Sequence, residues 1–349
     1  MKHLVELIEG GARERVYGSA YFSIFDEERI LSSYGTSGVS SSSIFDIASV
    51  TKIFTALLCS FMANESMLSP GTRLGDFSFI NVPPEKEEVT VEMLLSHTSG
   101  LPPYYPLIEN PRLEGGGNRV KSVEAILGLP LQNAPGEKIE YSDMGYILLG
   151  FLMEEVGGLS LRGLLKKRIS GPLGLRDTMY LPLEELPDCE QGRIISTGFC
   201  NKRGREKVGE VDDLNSWAMG GVSGHAGIFS TGHDLFLLSR ELIKTYLGEG
   251  IVFMREPLLF LLSPVKDSHG CARRLGFDIP SGEKSLAGDG FSQMSGGHLG
   301  FTGVSIWLDF EDGKGILFLT NRPYKDGNRE ALNGIRREVH NRAWKVIGH

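Results

Sequence analysis

Alternating apolar and polar positions near both ends of the chain predict two β-hairpins. Residues 16–36, "VYGSAYFSIFDEERILSSYGT", alternate on both sides of an Asp-Glu-Glu turn. Towards the C-terminus, "GVSIWLDF" (303–310) and "GILFLT" (315–320) flank the dipeptide Asp312–Gly313. Period-two alternation on both sides of a short polar turn is typical of a hairpin, and Asp-Gly is a strong turn signal.

Helical spacing of apolar residues predicts a helix at each end of the chain and one between the hairpins. The N-terminal segment "MKHLVELIEGG" predicts a short amphipathic helix that ends at Gly10–Gly11. The segment "SVTKIFTALLCSFMAN" (49–64) has apolar residues at helical spacing throughout. A final helix is predicted from about Asn328 to Val346.

The middle of the chain is predicted to be helical and rich in loops from Asn64 to about Asn215. Residues 229–247 then predict another helix, with Ser230 or Thr231 as its N-cap. Strands at both ends around a helical middle predict an α+β fold, in which one sheet is built from both ends. We expect an α/β domain from residues 1–60 and 216–349, a mostly helical inserted domain from residues 61–215, and an active site between them.

The composition is that of an ordinary globular protein, with 349 residues, 41% of them hydrophobic and 23% charged. A net charge of −8, with no basic stretch among aromatic residues, argues against a nucleic-acid partner. No apolar run is long enough to cross a membrane. The N-terminus is acidic where a secretory signal needs an apolar core, so a cytoplasmic location is expected unless a leader was removed. That location disfavours a Cys189–Cys200 disulfide, and Cys59 is expected in the core.

A serine and a lysine three positions apart stand out in the helix predicted over residues 49–64. Ser49 and Lys52 would share one helix face, where an amine can take the proton of a hydroxyl. In a first helical turn, the unpaired N–H of Ser49 and the helix dipole would favour an oxyanion. The same spacing recurs at Ser263–Lys266 and Ser281–Lys284, but a proline and a glycine after these serines predict turns. A capping serine with a solvated lysine is the alternative interpretation at Ser49.

Lys52 needs help in proton transfer because its ordinary pKa of about 10.4 keeps it an ammonium at neutral pH. Lowering that pKa by about three units requires about 4 kcal/mol of desolvation or positive potential. The segment "IEYSDMGYILLG" offers Tyr141 and, two residues later, Asp143 at the start of an apolar helix. Alternatively, Tyr141 is a turn residue and Asp143 only caps that helix.

A third segment, "GGHLGFTGVSIWLDF", places His298 and Gly300 at the mouth of a predicted strand. A glycine there lets a ligand approach the backbone, and the N–H after it can face an oxyanion. An ordinary histidine at a strand edge is the alternative. A competing segment, "GHAGIFS" at His225, is expected to lead into a helix.

In this order, the three patterns resemble the motifs of the penicillin-recognising serine hydrolases. The likeness is greatest to the branch of class C β-lactamases, D-alanyl-D-alanine carboxypeptidases and esterases. Four longer segments are similar to that branch as well: "LLSHTSGLP" (94–102), "APGEKIEYSDMGYILLG" (134–150), "ISGPLGLRDTMY" (169–180) and "GGVSGHAGIFST" (220–231). Each segment is weak alone, but the ordered set with the hairpins extends over nearly the whole chain.

The resemblance implies a role for each of these residues. Ser49 would be the acylated nucleophile, Lys52 its partner in deprotonation, and Tyr141 the proton relay to the leaving group. The backbone N–H groups of Ser49 and Phe301 would form the oxyanion hole. The substrate-binding positions would be Asp143, His298 and Gly300. The resemblance also implies an antiparallel sheet flanked by helices, a helical domain above the site, and no metal or organic cofactor.

Two departures from the family's pattern concern the substrate. The second motif ends in Asp143, where β-lactamases carry an asparagine, and an ionised carboxylate only accepts hydrogen bonds. In the third motif, His298 replaces a lysine and Leu299 replaces a hydroxyl that would contact a substrate carboxylate. Thr302, two places past Gly300, is a candidate substitute whose direction the strand pattern leaves open. The loss of a charged contact and a hydroxyl argues against efficient β-lactam hydrolysis.

We therefore predict a serine hydrolase that acts through an acyl-enzyme on Ser49. Because the protein is expected in the cytoplasm, we favour an esterase or an amidase/peptidase that acts on small esters or D-amino-acid-containing amides. A true β-lactamase or D,D-carboxypeptidase is the alternative. Two alternatives of another class are a penicillin-receptor-like binding module without turnover and an unrelated scaffold in which these side chains lie apart. The expected partner is a small molecule or peptide, not a nucleic acid or a membrane.

Overall fold

The computed structural model describes residues 1–110, 119–281, 285–322 and 328–347. Its α-helices are α1 (Lys2–Arg13), α2 (Thr51–Asn64), α3 (Val91–Leu95), α4 (Arg119–Leu127), α5 (Asp143–Gly157), α6 (Leu161–Leu165), α7 (Gly171–Leu173), α8 (Pro182–Glu185), α9 (Asp188–Gln191), α10 (Leu214–Ala218), α11 (Gly232–Leu247), α12 (Arg255–Leu261) and α13 (Arg329–Ile347). A 3₁₀ turn, Ala48–Val50, lies directly before α2.

The strands are β1 (Ala20–Asp26), β2 (Ile30–Gly35), β3 (Ile44–Asp46), β4 (Met179–Tyr180), β5 (Phe199–Cys200), β6 (Arg205–Glu206), β7 (Ile228–Thr231), β8 (Val265–Lys266), β9 (Ala272–Arg273), β10 (Ser295–Leu299), β11 (Ser305–Asp309) and β12 (Lys314–Thr320). Five of them form an antiparallel sheet in the order β10-β11-β12-β1-β2. A second sheet has the order β3-β7-β4, and two further strand pairs are β5-β6 and β8-β9.

Both hairpins predicted from the alternating pattern are confirmed. β1 pairs with β2, and β11 pairs with β12 across Asp312–Gly313. Gly313 has a φ of +65°, which a glycine adopts without steric cost. β1 also pairs with β12, in a register that runs from Ala20↔Thr320 to Asp26↔Lys314. The two ends of the chain therefore build one sheet, as the sequence predicted.

Helices cover both faces of the five-stranded sheet. On one face, α1 and α13 pack together over a cluster that includes Leu4, Phe22 and Phe318. On the other face, α11 packs on β1 and β12, and the Phe25 and Phe236 rings meet edge to face at 5.4 Å. Strand β1 is buried along nearly its whole length because both of its faces are covered.

The helix predicted over residues 49–64 is confirmed, although its first turn is 3₁₀ and α2 itself begins at Thr51. Most of its side chains are buried, Lys52 among them, since α5, α6 and α12 pack around it. A helix that is apolar on all sides needs neighbours on all sides. This packing holds Ser49, at the start of the helix, against the centre of the molecule.

The other helix ends differ from prediction in small but instructive ways. Thr231 is the N-cap of α11 and accepts from the Asp234 N–H at 3.1 Å, whereas Ser230 lies within β7. The C-terminal helix begins at Arg329, one residue after the predicted start. Both predictions were therefore correct to within one or two residues.

The N-terminal helix does not end at Gly10–Gly11, as the two glycines predicted, but continues to Arg13. Gly11 is required by packing, because a Cβ at this position would lie 2.5 Å from Tyr17 Oη. That hydroxyl is buried and donates to the Ile8 carbonyl at 2.7 Å. The glycine therefore makes room for a tyrosine and does not stop the helix.

The described residues of the proposed inserted segment, 61–110 and 119–215, contain α3 to α9 and strands of two residues each, of which β4 pairs with β7 outside it. The division into two domains stays a prediction. All four cysteines are free, Cys189 and Cys200 included, and Cys59 is buried as expected. Among the described residues, no single helix has the length and apolar character to cross a membrane. One pair, Asp143–Gly157 with Leu161–Leu173, meets that test jointly across a 77° bend.

The packing role of Gly11 predicts that Gly11→Ala destabilises the protein by about 1–3 kcal/mol, because the methyl group overlaps Tyr17. Gly10→Ala is the matched control, since its nearest contact would be Arg13 Nη2 at 3.9 Å. Helix propensity predicts that this second change is neutral or stabilises by up to about 1 kcal/mol. Urea unfolding followed by circular dichroism measures both variants. Equal stability of the two would contradict the packing role.

Candidate active site

Six of the predicted site residues line one cavity of about 720 Å³, and four of them contribute side chains: Ser49, Tyr141, Asp143 and His298. Gly300 and Phe301 line the same cavity, and the Lys52 side chain is buried beneath Ser49. Ser49 and His298 come from the chain ends that build the sheet, whereas Tyr141 and Asp143 come from the helical middle. The unrelated-scaffold alternative, in which these side chains lie apart, is therefore wrong.

Lys52 is the centre of the hydrogen-bond network below the cavity. Its Nζ donates to Ser49 Oγ at 3.2 Å, to Asp143 Oδ1 at 2.8 Å and to the His225 carbonyl at 3.1 Å. Nζ also lies 4.9 Å from the centre of the Tyr141 ring. An ammonium has three protons, and three acceptors surround this one.

Burial by itself lowers the pKa of Lys52, but the Asp143 carboxylate and the Tyr141 phenol outweigh it, so the pKa lies above its ordinary value. The depressed pKa that would make Lys52 a base at neutral pH is therefore not present. The sequence analysis named desolvation or positive potential as what a lowered pKa of Lys52 would require, and it did not predict the pairing of this lysine with Asp143. At rest, Lys52 is an ammonium that favours negative charge on its neighbours.

Tyr141 is half-buried beside Lys52 and Ser49. Burial raises the pKa of Tyr141 above its ordinary value, while the Lys52 ammonium and hydrogen bonding to both neighbours oppose that rise. Ser142, and not Asp143, caps α5, since Ser142 Oγ accepts from the Gly145 N–H. The interpretation of Asp143 as a helix cap was wrong, and its carboxylate faces Lys52 instead.

His97 is a site residue that the sequence did not indicate. Its ring stacks on the Tyr141 ring with centroids 4.5 Å apart, and its Nδ1 accepts from the Ser142 N–H at 2.9 Å. Burial lowers the pKa of His97 well below its ordinary value, so the ring is neutral. The signal was the segment "LLSHTSGLP", but its spacing gave no reason to place this ring behind the tyrosine.

The backbone on either side of the predicted oxyanion hole is fixed by close packing. Ala48 has a φ of +46°, a left-handed conformation that costs a non-glycine residue of the order of 1 kcal/mol. A Cβ on Gly300 would lie 2.7 Å from the Ile47 carbonyl and 3.3 Å from Ala48 Cβ. Gly300 is therefore required so that the end of β10 can lie directly on the turn that carries Ser49.

The N–H groups of Ser49 and Phe301 make no hydrogen bond to any described part of the chain. The Gly300 N–H donates to the Val304 carbonyl at 2.7 Å and places Phe301 at the tip of a tight turn. Arg322 donates to the Phe301 carbonyl through Nε and Nη2 at 3.0 and 2.8 Å. Two N–H groups on adjoining turns, without partners within the described residues, are the arrangement that an oxyanion hole needs.

His298 differs from the lysine whose place it takes. Its Nδ1 contacts the Leu299 carbonyl at 2.9 Å, which assigns the ring proton to Nδ1 and leaves Nε2 as an acceptor. Burial lowers the pKa of His298 to about 4, so this side chain is neutral at physiological pH. Within the described residues, the buried Nε2 has no partner.

Thr302 does not replace the missing hydroxyl of the third motif. The Thr302 side chain is buried and Oγ1 donates to the Asp46 carbonyl at 2.8 Å. It therefore joins the turn after β10 to the strand before Ser49. A substrate carboxylate must find its partners elsewhere in the cavity.

His225 lies at the site, but not as a substitute for His298. Its carbonyl accepts from Lys52, while its ring lies between Asp213 Oδ1 and Ser223 Oγ, each at 2.8 Å. The chain after it forms β7 before it reaches α11, so the expectation that it leads into a helix was incomplete.

Arg273 is a second residue that the sequence did not indicate. Its guanidinium lies 5.1 Å from the centre of the Tyr141 ring and pairs with Asp278. Of the other two serine–lysine patterns, Ser263 and Lys266 do not line the cavity, and Lys284 lies outside the described residues.

Comparison with known proteins identifies the class. The profile of the Beta-lactamase family matches residues 4–341. A protein of Escherichia coli (strain K12) named "Putative D-alanyl-D-alanine carboxypeptidase" is 30% identical over 80% of this chain and 69% of its own length. A Salmonella paratyphi B protein of the same name is 28% identical over 80% of this chain and 70% of its own.

Solved structures share the fold at lower identity. The octameric penicillin-binding protein homologue from Pyrococcus abyssi superposes with a TM-score of 0.73 at 22% identity, over 92% of this chain and 73% of that one. EstCE1, described as a hydrolase with promiscuous acyltransferase activity, gives 0.69 at 18% identity, over 97% and 99%. This chain therefore belongs to the β-lactamase family and is one of its serine hydrolases.

The Asp143–Lys52 ion pair predicts a change in pH dependence. The carboxylate raises the pKa of both Lys52 and Tyr141, so Asp143→Asn should lower both. We expect the alkaline rise of kcat/KM on a p-nitrophenyl ester to move to lower pH by about one unit. Asp289→Asn, which removes an exposed carboxylate paired with Arg337, is the control. If the pH profile of Asp143→Asn is the same as that of the wild type, the ion pair does not determine the pKa of the group that acts as the base.

Proposed function

We propose that this serine hydrolase cleaves small esters or D-amino-acid-containing amides through an acyl-enzyme on Ser49. The observation that carries the proposal is the position of Ser49 Oγ, 3.2 Å from the buried Lys52 Nζ, beside Tyr141 and below the cavity. The N–H groups of Ser49 and Phe301 supply the donors that a tetrahedral oxyanion requires. The geometry thus combines a nucleophile, a proton carrier and an oxyanion site.

In the proposed reaction, Tyr141 first loses its phenol proton to solvent, and its raised pKa means that the phenolate fraction grows as the pH rises. Ser49 Oγ then attacks the substrate carbonyl carbon and passes its proton to the Tyr141 phenolate. Lys52 does not take that proton because an ammonium has no lone pair, but its charge stabilises the phenolate that accepts it. The carbonyl oxygen becomes an oxyanion between the two N–H groups. Collapse breaks the bond to the leaving group, which takes the proton back from Tyr141, and water then attacks the acyl ester by the same route in reverse.

The polar groups around the cavity favour esters and simple amides over β-lactams. Asp143 pairs with Lys52 and offers only acceptor atoms, whereas an asparagine would donate to an acyl amide. The neutral His298 and the apolar Leu299 remove the charge and hydroxyl that hold a β-lactam carboxylate in the resembled enzymes. EstCE1, which shares the fold, is described as a hydrolase, and this agrees with the proposal.

A D,D-carboxypeptidase is the second candidate, and an arginine-lined wall of the cavity favours it. Arg322, Arg329 and Arg336 line that wall, and Arg336 is almost fully buried. Within the described residues, Arg336 Nε has no hydrogen-bond partner. A terminal carboxylate would supply one, and the name of the Escherichia coli relative agrees with such a substrate. The cytoplasmic location expected from the N-terminus stays a prediction.

Labelling tests the nucleophile. A fluorophosphonate should add one adduct to the wild-type protein, located on Ser49 by peptide mass spectrometry, and none to Ser49→Ala. Ser263→Ala, which changes the serine of another Ser-x-x-Lys pattern, should label like the wild type. Equal labelling of Ser49→Ala would refute the assignment. Acyl adducts on Ser49 that persist for hours, with one equivalent of p-nitrophenol released and no further ester hydrolysis, would instead support the binding-module alternative.

A pair of substrates separates the two candidate functions. If a carboxylate binds at the arginine wall, Arg336→Met should lower kcat/KM for a D-alanyl-D-alanine peptide by about 10–100-fold, the cost of a charged hydrogen bond. Hydrolysis of a neutral p-nitrophenyl ester should be unchanged. Arg337→Met is the control on the same helix, because Arg337 pairs with Asp289 and does not line the cavity. Equal loss on both substrates would count against the carboxypeptidase.

A further inference from the structure

Asp46 is a buried carboxylate three residues before Ser49, at the end of β3. Its Oδ1 accepts from the Ala48 N–H at 2.8 Å, and its Oδ2 accepts from the Asp212 N–H at 2.6 Å. Its backbone carbonyl accepts from Thr302 Oγ1 at 2.8 Å. Asp46 therefore connects three segments: the turn that leads to Ser49, the turn that carries Phe301, and the segment of the cavity wall at Asp212.

The bond to Ala48 has a specific consequence for the backbone. A carboxylate that accepts from the N–H two residues later closes a local turn of its own. Here that turn contains Ala48 in the left-handed conformation, with a φ of +46°. Because an alanine adopts this conformation only against a steric cost, a surrounding contact must hold it. The Asp46 carboxylate supplies that contact, and Ser49 directly follows Ala48 in the chain.

Both carboxylate oxygens accept from N–H donors, so the arrangement favours the ionised form. Protonation would turn one oxygen into a hydroxyl, which is a weaker acceptor, and the hydrogen bond from that N–H would be weakened. An asparagine would do the same at every pH, since its NH₂ group would replace one acceptor. The geometry therefore distinguishes Asp46 from a polar residue that only fills space.

The surroundings make protonation accessible near neutral pH. Burial, together with the charges of Asp212 and Asp213, raises the pKa of Asp46 to about 7, although the two N–H bonds oppose this rise. The paired strand β7 and the Thr302 turn contribute no titratable side chain. Among the described residues, the charged groups that act on Asp46 are Asp212, Asp213 and Arg203, while Lys207 and Arg322 interact with Asp212.

We propose that Asp46 is a positioning residue whose ionised carboxylate holds the left-handed turn at Ala48 and so aims the hydroxyl and N–H of Ser49 at the substrate. The inference rests on the proposed role of Ser49 as nucleophile. It makes activity depend on a group that does not touch the substrate. When Asp46 binds a proton, the turn relaxes and the rate of acylation falls.

The test is the pH dependence of the rate of fluorophosphonate labelling and of kcat on a p-nitrophenyl ester. The wild-type protein should lose activity as the pH falls through about 7, in addition to any alkaline rise from Tyr141. Asp46→Asn should have kcat lower by about tenfold or more at pH 8, with a smaller change in KM, because the attacking group is misplaced. It should also lack the step near pH 7.

Asp234→Asn is the matched control. Asp234 is a buried carboxylate that accepts from the Asp177 N–H and the Thr178 hydroxyl, and burial raises its pKa, but it does not line the cavity. This variant should keep both the rate and the step near pH 7. A loss of activity in Asp46→Asn with that step unmoved would mean a merely structural role and would overturn the proposal. Unchanged activity would overturn it as well.

Stability gives a readout that is independent of catalysis. Because the folded protein holds the Asp46 proton more tightly than the unfolded chain, Asp46 destabilises the fold as the pH rises from about 4 to about 7. The melting temperature of the wild type relative to Asp46→Asn should therefore fall across that window. A difference that stays constant with pH would show that Asp46 does not titrate there.

The outcomes separate this inference from the proposed function. If Ser49→Ala still labels, the proposed function fails and Asp46 has no nucleophile to position. If Ser49→Ala does not label but Asp46→Asn labels at the wild-type rate at every pH, only the role of Asp46 fails.

Discussion

The buried ammonium of Lys52 is the interaction around which the rest of the site is arranged. A charge removed from water costs several kcal/mol unless other groups replace its hydration. Ser49 Oγ, Asp143 Oδ1 and the His225 carbonyl do this from three separate parts of the chain. The helix that carries the lysine, the start of α5 and the segment before β7 must therefore meet at one point.

The same contact explains why the residues around Lys52 behave as they do. The Asp143 carboxylate balances the charge of Lys52 and keeps its amine protonated. In the resting state, Lys52 therefore stabilises negative charge on its neighbours and does not accept a proton. Tyr141, pressed between His97 and Lys52, is then the group left to carry a proton in the proposed reaction. The aspartate of the second motif thus raises the pKa of both candidate proton carriers, Lys52 and Tyr141.

A second constraint is the close approach of two backbone segments, the end of β10 and the turn before Ser49. Gly300 lies so near Ile47 and Ala48 that a single Cβ would not fit, and Thr302 and Asp46 lock the two turns together. Placing the end of β10 on the turn before α2 brings the N–H groups of Ser49 and Phe301 to adjoining positions. The strained φ at Ala48 is part of this arrangement, as expected where a backbone is held for function.

The sequence by itself determined the hairpins, the main helices, the sheet built from both ends and the motifs of the site, because each depends on a local period or on an ordered set of short patterns. It misplaced the end of the first helix, because two consecutive glycines are typical of a helix end. In the structure, Gly11 is needed instead to leave room for the Tyr17 side chain. The sequence also could not assign the partner of Asp143, the burial that leaves His298 neutral, the use of Thr302 as a tether, or the places of His97, Arg273 and Asp46. Each of these depends on which distant groups become neighbours and how much water is excluded, and only the tertiary structure decides both.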